Sequence, residues 1–298
     1  MEIITELTKI PNLSLALGFF DGVHLGHQAV IDCAVDLARS LRCQSAVLTF
    51  EKHPECYLNN LPQKNLTSDE DKYNIIRGLG VDYLIMLDFE NICKLTPNQY
   101  LEEILLRYFS PKAISTGFNH HFGIGRSGGV NFLANYQSRY DYIYTATPPQ
   151  TIFGEVISSS AIRQYLKTGE IPIANSMLGR SFSVSGTVIE GKKLGQTIGF
   201  PTANIIYPEN VIELPYGVYE VNAFLENGIP MHGLANYGIS PTISGDGTPI
   251  LETHIVGFDG DLYGKYLRIE FQKMIRNELK FDNLDELKTQ IEIDLQSL

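Results

Sequence analysis

The sequence predicts a Rossmann-like α/β domain followed by a small all-β barrel closed by a C-terminal helix. Three observations carry that expectation. Short apolar runs alternate with helix-like segments up to about residue 150, and the apolar period drops to two after Gly179. Third, a glycine-bearing turn, Gly18–His27 (GFFDGVHLGH), joins the apolar run Leu13–Leu17 to a helix that begins near His24.

In the first half, the runs 45–50, 83–87, 113–116 and 140–145 read as strands, and 29–41, 69–78 and 97–108 as amphipathic helices. The second helix opens on Thr67 or Ser68 as N-cap, with acids in its first turn. Strands alternating with helices build βαβ units and a parallel sheet. In such sheets ligands gather at the carboxyl ends of the strands. Beyond Gly179, Phe182, Val184 and Val188 alternate with polar residues, as do Leu267, Ile269 and Phe271. Glu226-Asn227-Gly228 reads as a hairpin tip. Leu284, Leu287, Ile291 and Leu295 mark one face of a terminal helix. The change of period places the domains at residues 1–172 and 180–298.

With 44% hydrophobic and 19% charged residues, the 298-residue chain has the composition of an ordinary globular protein. A net charge of −11 argues against general nucleic-acid binding, which needs a basic face. No apolar stretch approaches the length of a membrane span, and the N-terminus lacks a secretory pattern. The four cysteines show no CxxC spacing. Reduced thiols in the cytoplasm are the expectation.

The strand–turn–helix at Gly18–His27 has the geometry of an anion site, where backbone N–H groups and the helix dipole converge on a phosphate. Gly18, Phe20, Asp21 and Gly22 belong to that turn. His24 and His27, three apart, share a helix face and offer hydrogen bonds or positive charge. The alternative is that they only cap or pack. A zinc site is the poorer reading, because no third ligand lies nearby. At residues 117–129, Gly123, Gly125 and Gly128 form a formal GxGxxG. With no clear amphipathic helix opening at Gly128, the stretch reads as a glycine-rich loop over a nucleotide rather than a dinucleotide fingerprint.

Ser159, Ser160 and Arg163 stand at a helix start, where hydroxyls, N–H groups and a guanidinium suit a triphosphate. N-capping explains the serines but not the arginine. In 191–205, the glycines Gly191, Gly195 and Gly199 permit a flap, and Thr202 and Asn204 after Pro201 offer two neutral oxygens suited to Mg²⁺. Glu252, in LETHI, reads equally as a general base or as a solvated strand residue.

As a set, the motifs GFFDGVHLGH, TFEKHP, LTSDEDK, GFNHHFG, ISSSAIR, GKKLGQTIGFPTANI, YGVYEV, ANYGISPTI and LETHI resemble the bifunctional riboflavin kinase/FAD synthetases of bacteria. The likeness runs in order over almost the whole chain. It implies that residues 180–298 phosphorylate riboflavin to FMN and that residues 1–172 adenylylate FMN to FAD, with ATP as co-substrate and pyrophosphate released. It implies Glu252 as base and Thr202 and Asn204 as contacts to Mg²⁺ and ATP. His24, His27, Ser159, Ser160 and Arg163 would handle phosphates. His53, Asn119 and Lys192 would lie near the nucleotide.

Two positions depart from the family pattern. Gln196 replaces a frequent basic residue, and His120-His121 replaces a frequent Phe-Arg. Each removes a charge-assisted contact of about 1.5–3 kcal/mol, with a histidine still able to donate. An HxGH transferase on another nucleotide, a flavin-binding paralogue without turnover and an NAD-linked oxidoreductase are the competing readings. The first leaves the β-rich half without a role, and the retained site residues speak against the second.

Overall fold

The computed structural model describes residues 1–52, 57, 63–191, 194–225, 228–239 and 248–298. These form two compact units, Met1–Asn65 with Asp69–Ser158, and Leu66–Ser68 with Ser159–Leu298.

The first unit is built on six parallel strands: β1 Glu2–Ile4, β2 Leu13–Leu17, β3 Gln44–Phe50, β4 Tyr83–Leu87, β5 Ala113–Gly117 and β6 Ile143–Thr147. Their order is β1-β4-β3-β2-β5-β6. All five residues of β2 are buried, as a central strand covered on both faces requires. Its one polar residue, Ser14, donates its hydroxyl to the Ala34 carbonyl at 2.7 Å. Helix α1, Leu25–Leu41, lays Val30, Ile31, Ala34, Val35 and Ala38 into the core. Helix α2, Asp69–Gly78, follows the acidic first turn as expected.

The chain winds from β2 to β3 and β4 on one side, then places β5 on the other. The switch point therefore lies between the C-terminal ends of β2 and β5, where α/β sheets open a crevice. The turns after Gly18 and after Gly117 both leave the sheet at that point.

Two expectations in this half are corrected. Tyr140 does not start a strand; it ends a helix, α4 Val130–Tyr140, closed by Asp141 in the left-handed region (φ 55°), and β6 begins at Ile143. That helix also opens directly after Gly129, where the sequence shows no clear amphipathic start. Between Pro97 and Phe109 the chain forms a short turn, Pro97–Gln99, with a Thr96/Gln99 capping box. It then widens to a π-helix, α3 Tyr100–Phe109.

The second unit contains six antiparallel strands: β7 Phe182–Thr187, β8 Ala203–Ile206, β9 Gly217–Phe224, β10 Pro230–Ile239, β11 Pro249–Ile255 and β12 Tyr266–Asn277. Their order is β7-β12-β9-β10-β11-β8. The period-two expectation is met by the register, which pairs Phe182 with Phe271, Val184 with Ile269 and Gly186 with Leu267. The ring closes just beyond β7, where the Ile189 N–H donates to the Asn204 carbonyl of β8 at 2.8 Å. Closure removes the exposed edges that an open sheet would leave. Gly186 of β7 packs close to Ile205 of β8, where a Cβ would stand in van der Waals contact at 3.4 Å.

Compactness groups α5, Ser159–Thr168, and α6, Ile171–Leu178, with the barrel. The staple is Asn175 of α6, whose amide donates to the Phe271 carbonyl at 2.8 Å and accepts from the Phe182 N–H at 2.7 Å. In the terminal helix α7, Leu284–Gln296, Leu287, Ile291 and Leu295 turn inward but Leu284 is exposed. The buried residue of that helix is Asp294, which takes a bidentate ion pair from Arg276 of β12 at 2.8–3.0 Å.

Candidate active sites

In the first unit, the turn after β2 is tightly wound. Phe20 (φ 57°), Gly22 (φ 76°) and Val23 (φ 38°) all occupy the left-handed region, which costs the two non-glycine residues energy. Asp21 is buried in the 3-10 turn Asp21–Val23. His24 stands as N-cap of α1, its Nδ1 accepting the His27 N–H at 3.2 Å. Any ligand contact from His24 is therefore left to Nε2. The His24 and His27 rings stack with centroids 3.6 Å apart and planes 18° apart. Gly26 leaves room for that ring: a Cβ there would stand 3.2 Å from it. The Ile157 carbonyl, just before the serines, is 3.8 Å from the same point.

Of the two roles open to the pair, hydrogen bonding or positive charge, His27 is left the first. Burial holds its pKa well below the usual histidine range, helped by His24 and by the charge of Lys72. Its Nδ1 is buried without a hydrogen-bond partner. His27 thus offers a neutral imidazole, able to donate or accept through a chosen tautomer. His120 behaves alike: burial, then His121, brings its pKa down to about 4.

At the strand ends lies a cavity of about 310 Å³ lined by Gly18, Phe50, Phe89, Tyr100, His120 and Phe122, among others. Two glycines of the 117–129 stretch serve packing. A Cβ on Gly128 would strike the Phe122 ring at 2.8 Å, and one on Gly123 would strike Pro97 at 3.0 Å. Asn119 is exposed in the turn after β5. His53 lies outside the described residues. In the second unit, Ser159 and Ser160 are the first two residues of α5, so Ser158 rather than either of them precedes the helix. Arg163 follows at the start of its second turn.

The barrel assembles the remaining candidates. Asn204 of β8 lies directly opposite Glu252 of β11, which in turn lies opposite Asn236 of β10. The next residues in register, Ile205, Leu251 and Tyr237, turn to the core, so the polar row faces away from it. Asn204 is buried, and its Oδ1 has no hydrogen-bond partner. Gly191 lies against it; a Cβ there would stand 2.4 Å from Nδ2.

Two cavities meet at Thr202. One, of about 340 Å³, is lined by Gln196, Pro201, Thr202, Asp259, Asp261 and Tyr263 among others. The other, about 270 Å³, is lined by Gly195, Thr202, Asn236, Glu252, Arg276 and Leu287 among others. His254 Nδ1 and the Pro201 carbonyl, 2.9 Å apart, tie the PTAN segment to β11. Gly199 takes a positive φ of 93° in the flap. Lys192 lies outside the described residues.

Sequence reasoning missed Asn236, the Arg276–Asp294 pair and Lys72. Asn236 had a signal, since it is the polar residue between Ala235 and Tyr237 in the ANYGISPTI stretch. Lys72 had one too: it sits four residues before the buried Ile76, on the inward face of α2.

A family model described as FAD synthetase matches residues 8–161, and one described as riboflavin kinase matches residues 178–298. A bifunctional riboflavin kinase/FMN adenylyltransferase from Listeria monocytogenes is 38% identical over 98% of this chain and 92% of its own length. One from Escherichia coli is 35% identical over 94% of this chain and 90% of its own. A solved structure described as a macrolide-efflux protein from Streptococcus pneumoniae superposes with a TM-score of 0.88 at 27% identity, covering 99% of this chain and 98% of its own. Among the described residues, no helix is long and apolar enough to cross a membrane.

Proposed function

The chain belongs to the bifunctional riboflavin kinase/FMN adenylyltransferase family, and from that premise we propose how its residues divide the two reactions. Riboflavin kinase activity resides in the C-terminal region and FMN adenylyltransferase activity in the N-terminal region. The boundaries proposed for them are residues 180–298 and 1–172.

In the kinase step, the two cavities sharing Thr202 carry the reading. Riboflavin occupies the one that contains Glu252, and ATP the one that contains Gln196 and Pro201. Glu252 takes the proton of the ribityl 5′-hydroxyl as that oxygen attacks the γ-phosphate. Asn204 and Asn236, flanking it in register, orient the carboxylate and the hydroxyl. The buried, unpartnered Asn204 Oδ1 and the Thr202 hydroxyl fit a divalent cation such as Mg²⁺, which would neutralise phosphate charge there. The Gly191–Gly199 flap, with Lys192, screens the phosphates from water.

In the adenylylation step, the attacking FMN phosphate is already anionic and needs no base. The turn Gly18–Gly22, His24 and His27 position the ATP phosphates and stabilise charge on the α-phosphate as pyrophosphate leaves, and Ser159, Ser160 and Arg163 are phosphate contacts that the family likeness implies. Asn119 and His53 contact the nucleotide. The aromatic cavity beside Gly18 suits the flavin ring. The three described cysteines are free thiols, in keeping with a cytoplasmic location.

Incubating the protein with riboflavin, ATP and Mg²⁺ and separating the flavins tests the division. FMN followed by FAD is the expected result. FMN without FAD would remove the N-terminal assignments, and no FMN would remove the barrel ones.

A further inference from the structure

Lys72 is buried to 6% exposure in the first unit, a rare position for a lysine. Its Nζ donates to the Phe19 carbonyl at 2.6 Å and to Thr49 Oγ1 at 3.2 Å, and lies 4.4 Å from the centre of the Phe19 ring. The Thr49 hydroxyl donates to the same carbonyl at 2.8 Å. Thr49 by itself already satisfies that oxygen, so a second donor carrying a full charge exceeds what folding requires. Burying the ammonium is costly, as its pKa, brought down to about 8 by desolvation against the pull of Asp21 and Asp69, records.

What the ammonium holds is the peptide that enters the wound turn. In a trans peptide the carbonyl and the following N–H point in opposite directions. Pinning the Phe19 oxygen toward Lys72 therefore fixes that peptide plane, with the Phe20 N–H aimed away from the ammonium, at the entry to the left-handed Phe20. The Phe20 ring then meets His27 edge-on, with centroids 5.3 Å apart, and His27 stacks on His24. The same charge opposes protonation of His27.

We propose that Lys72 is a positioning residue for adenylyl transfer, acting through the Phe19 carbonyl to set the turn that presents His24 and His27. The inference rests on adenylyl transfer being carried by the N-terminal unit. The charged and titratable groups facing the ammonium are Asp21 from the turn, Asp69 from its own helix and His27 from α1. Its loss of a proton changes the field at His27 and weakens the grip on Phe19 together.

The test follows FAD formation from FMN and FMN formation from riboflavin in the full chain, for the wild type, K72M and K72R. K72M is expected to lower kcat for adenylylation by about 10- to 100-fold with little change in KM for ATP, while the kinase rate stays within about twofold. The wild-type adenylylation rate should fall as pH rises through about 8, a limb the kinase step lacks. In K72R, whose guanidinium keeps its charge, that limb should disappear. If K72M does not fold, the wild-type limb and its loss in K72R decide. A wild type that makes no FAD from FMN would overturn the N-terminal assignment and this inference with it. A wild type that makes FAD, with K72M equally active, or with no alkaline limb, or with the limb unchanged in K72R, would overturn the inference alone.

Discussion

The two units set different charged groups around their proposed phosphate sites. Around the turn after β2 stand a buried ammonium, the buried Asp21 and two histidines, His27 and His120, that burial keeps neutral. Around the barrel's polar row stand carboxylates: Glu252 in one cavity, Asp259 and Asp261 in the other. The difference follows the nucleophile. A phosphate oxygen arrives charged and needs donors that hold it without being displaced by water. A ribityl hydroxyl arrives neutral and needs a base beside it. An acidic chain can serve both because each unit sets its local field by burial rather than by net charge.

The sharpest way to break this comparison is to remove one group from each side. E252Q, keeping shape but losing basicity, should reduce FMN formation by about 10³-fold while FMN-to-FAD conversion is unchanged. H27A should do the reverse, cutting FAD formation by about 10²-fold with the kinase rate intact. Flavin chromatography on each variant reads both rates at once. If either substitution lowers both rates equally, the division between units is wrong.

A smaller effect is expected at Asn204. N204A removes the orphaned oxygen and should raise the Mg²⁺ concentration needed for half-maximal kinase rate by about tenfold, a loss near 1.4 kcal/mol. Titrating Mg²⁺ against FMN formation checks this, and an unchanged requirement would take Asn204 out of the metal site.

The mildest test concerns acid stability. His27 and His120 are neutral in the folded unit, whereas in the unfolded chain they take up a proton near pH 6.5. The unfolded state thus binds more protons as pH falls below 6.5, and stability is lost from there toward about 4. Thermal unfolding of the wild type should show its midpoint dropping across that window, and H120F should flatten part of the drop. An H120F profile parallel to the wild type would show that His120 is not held neutral by burial.

Much of this was legible in the residues themselves. The alternation of Phe182 and Val184 with polar neighbours, and of Leu267, Ile269 and Phe271, specified two barrel strands, because only a pleated strand puts alternate residues on one side. The burial of all of Leu13–Leu17 followed from an apolar run too short for a helix. Glu252 was less legible: its strand was evident, but its face was not, since a strand carries no mark of which neighbour it pairs with. Register with Asn204 and Asn236 resolved that ambiguity.

The sequence by itself determined most of the elements, the order of the two architectures and the residue types at each site, since propensity, periodicity and turn chemistry are local. Only the tertiary structure decided that Asp294 rather than Leu284 is the buried residue of the last helix, and that α5 and α6 group with the barrel. It alone placed Lys72 under the Phe19 carbonyl and stripped His27 and His120 of their charge. Each of those outcomes depends on desolvation and on a partner distant in sequence. Neither is written in any single stretch of chain.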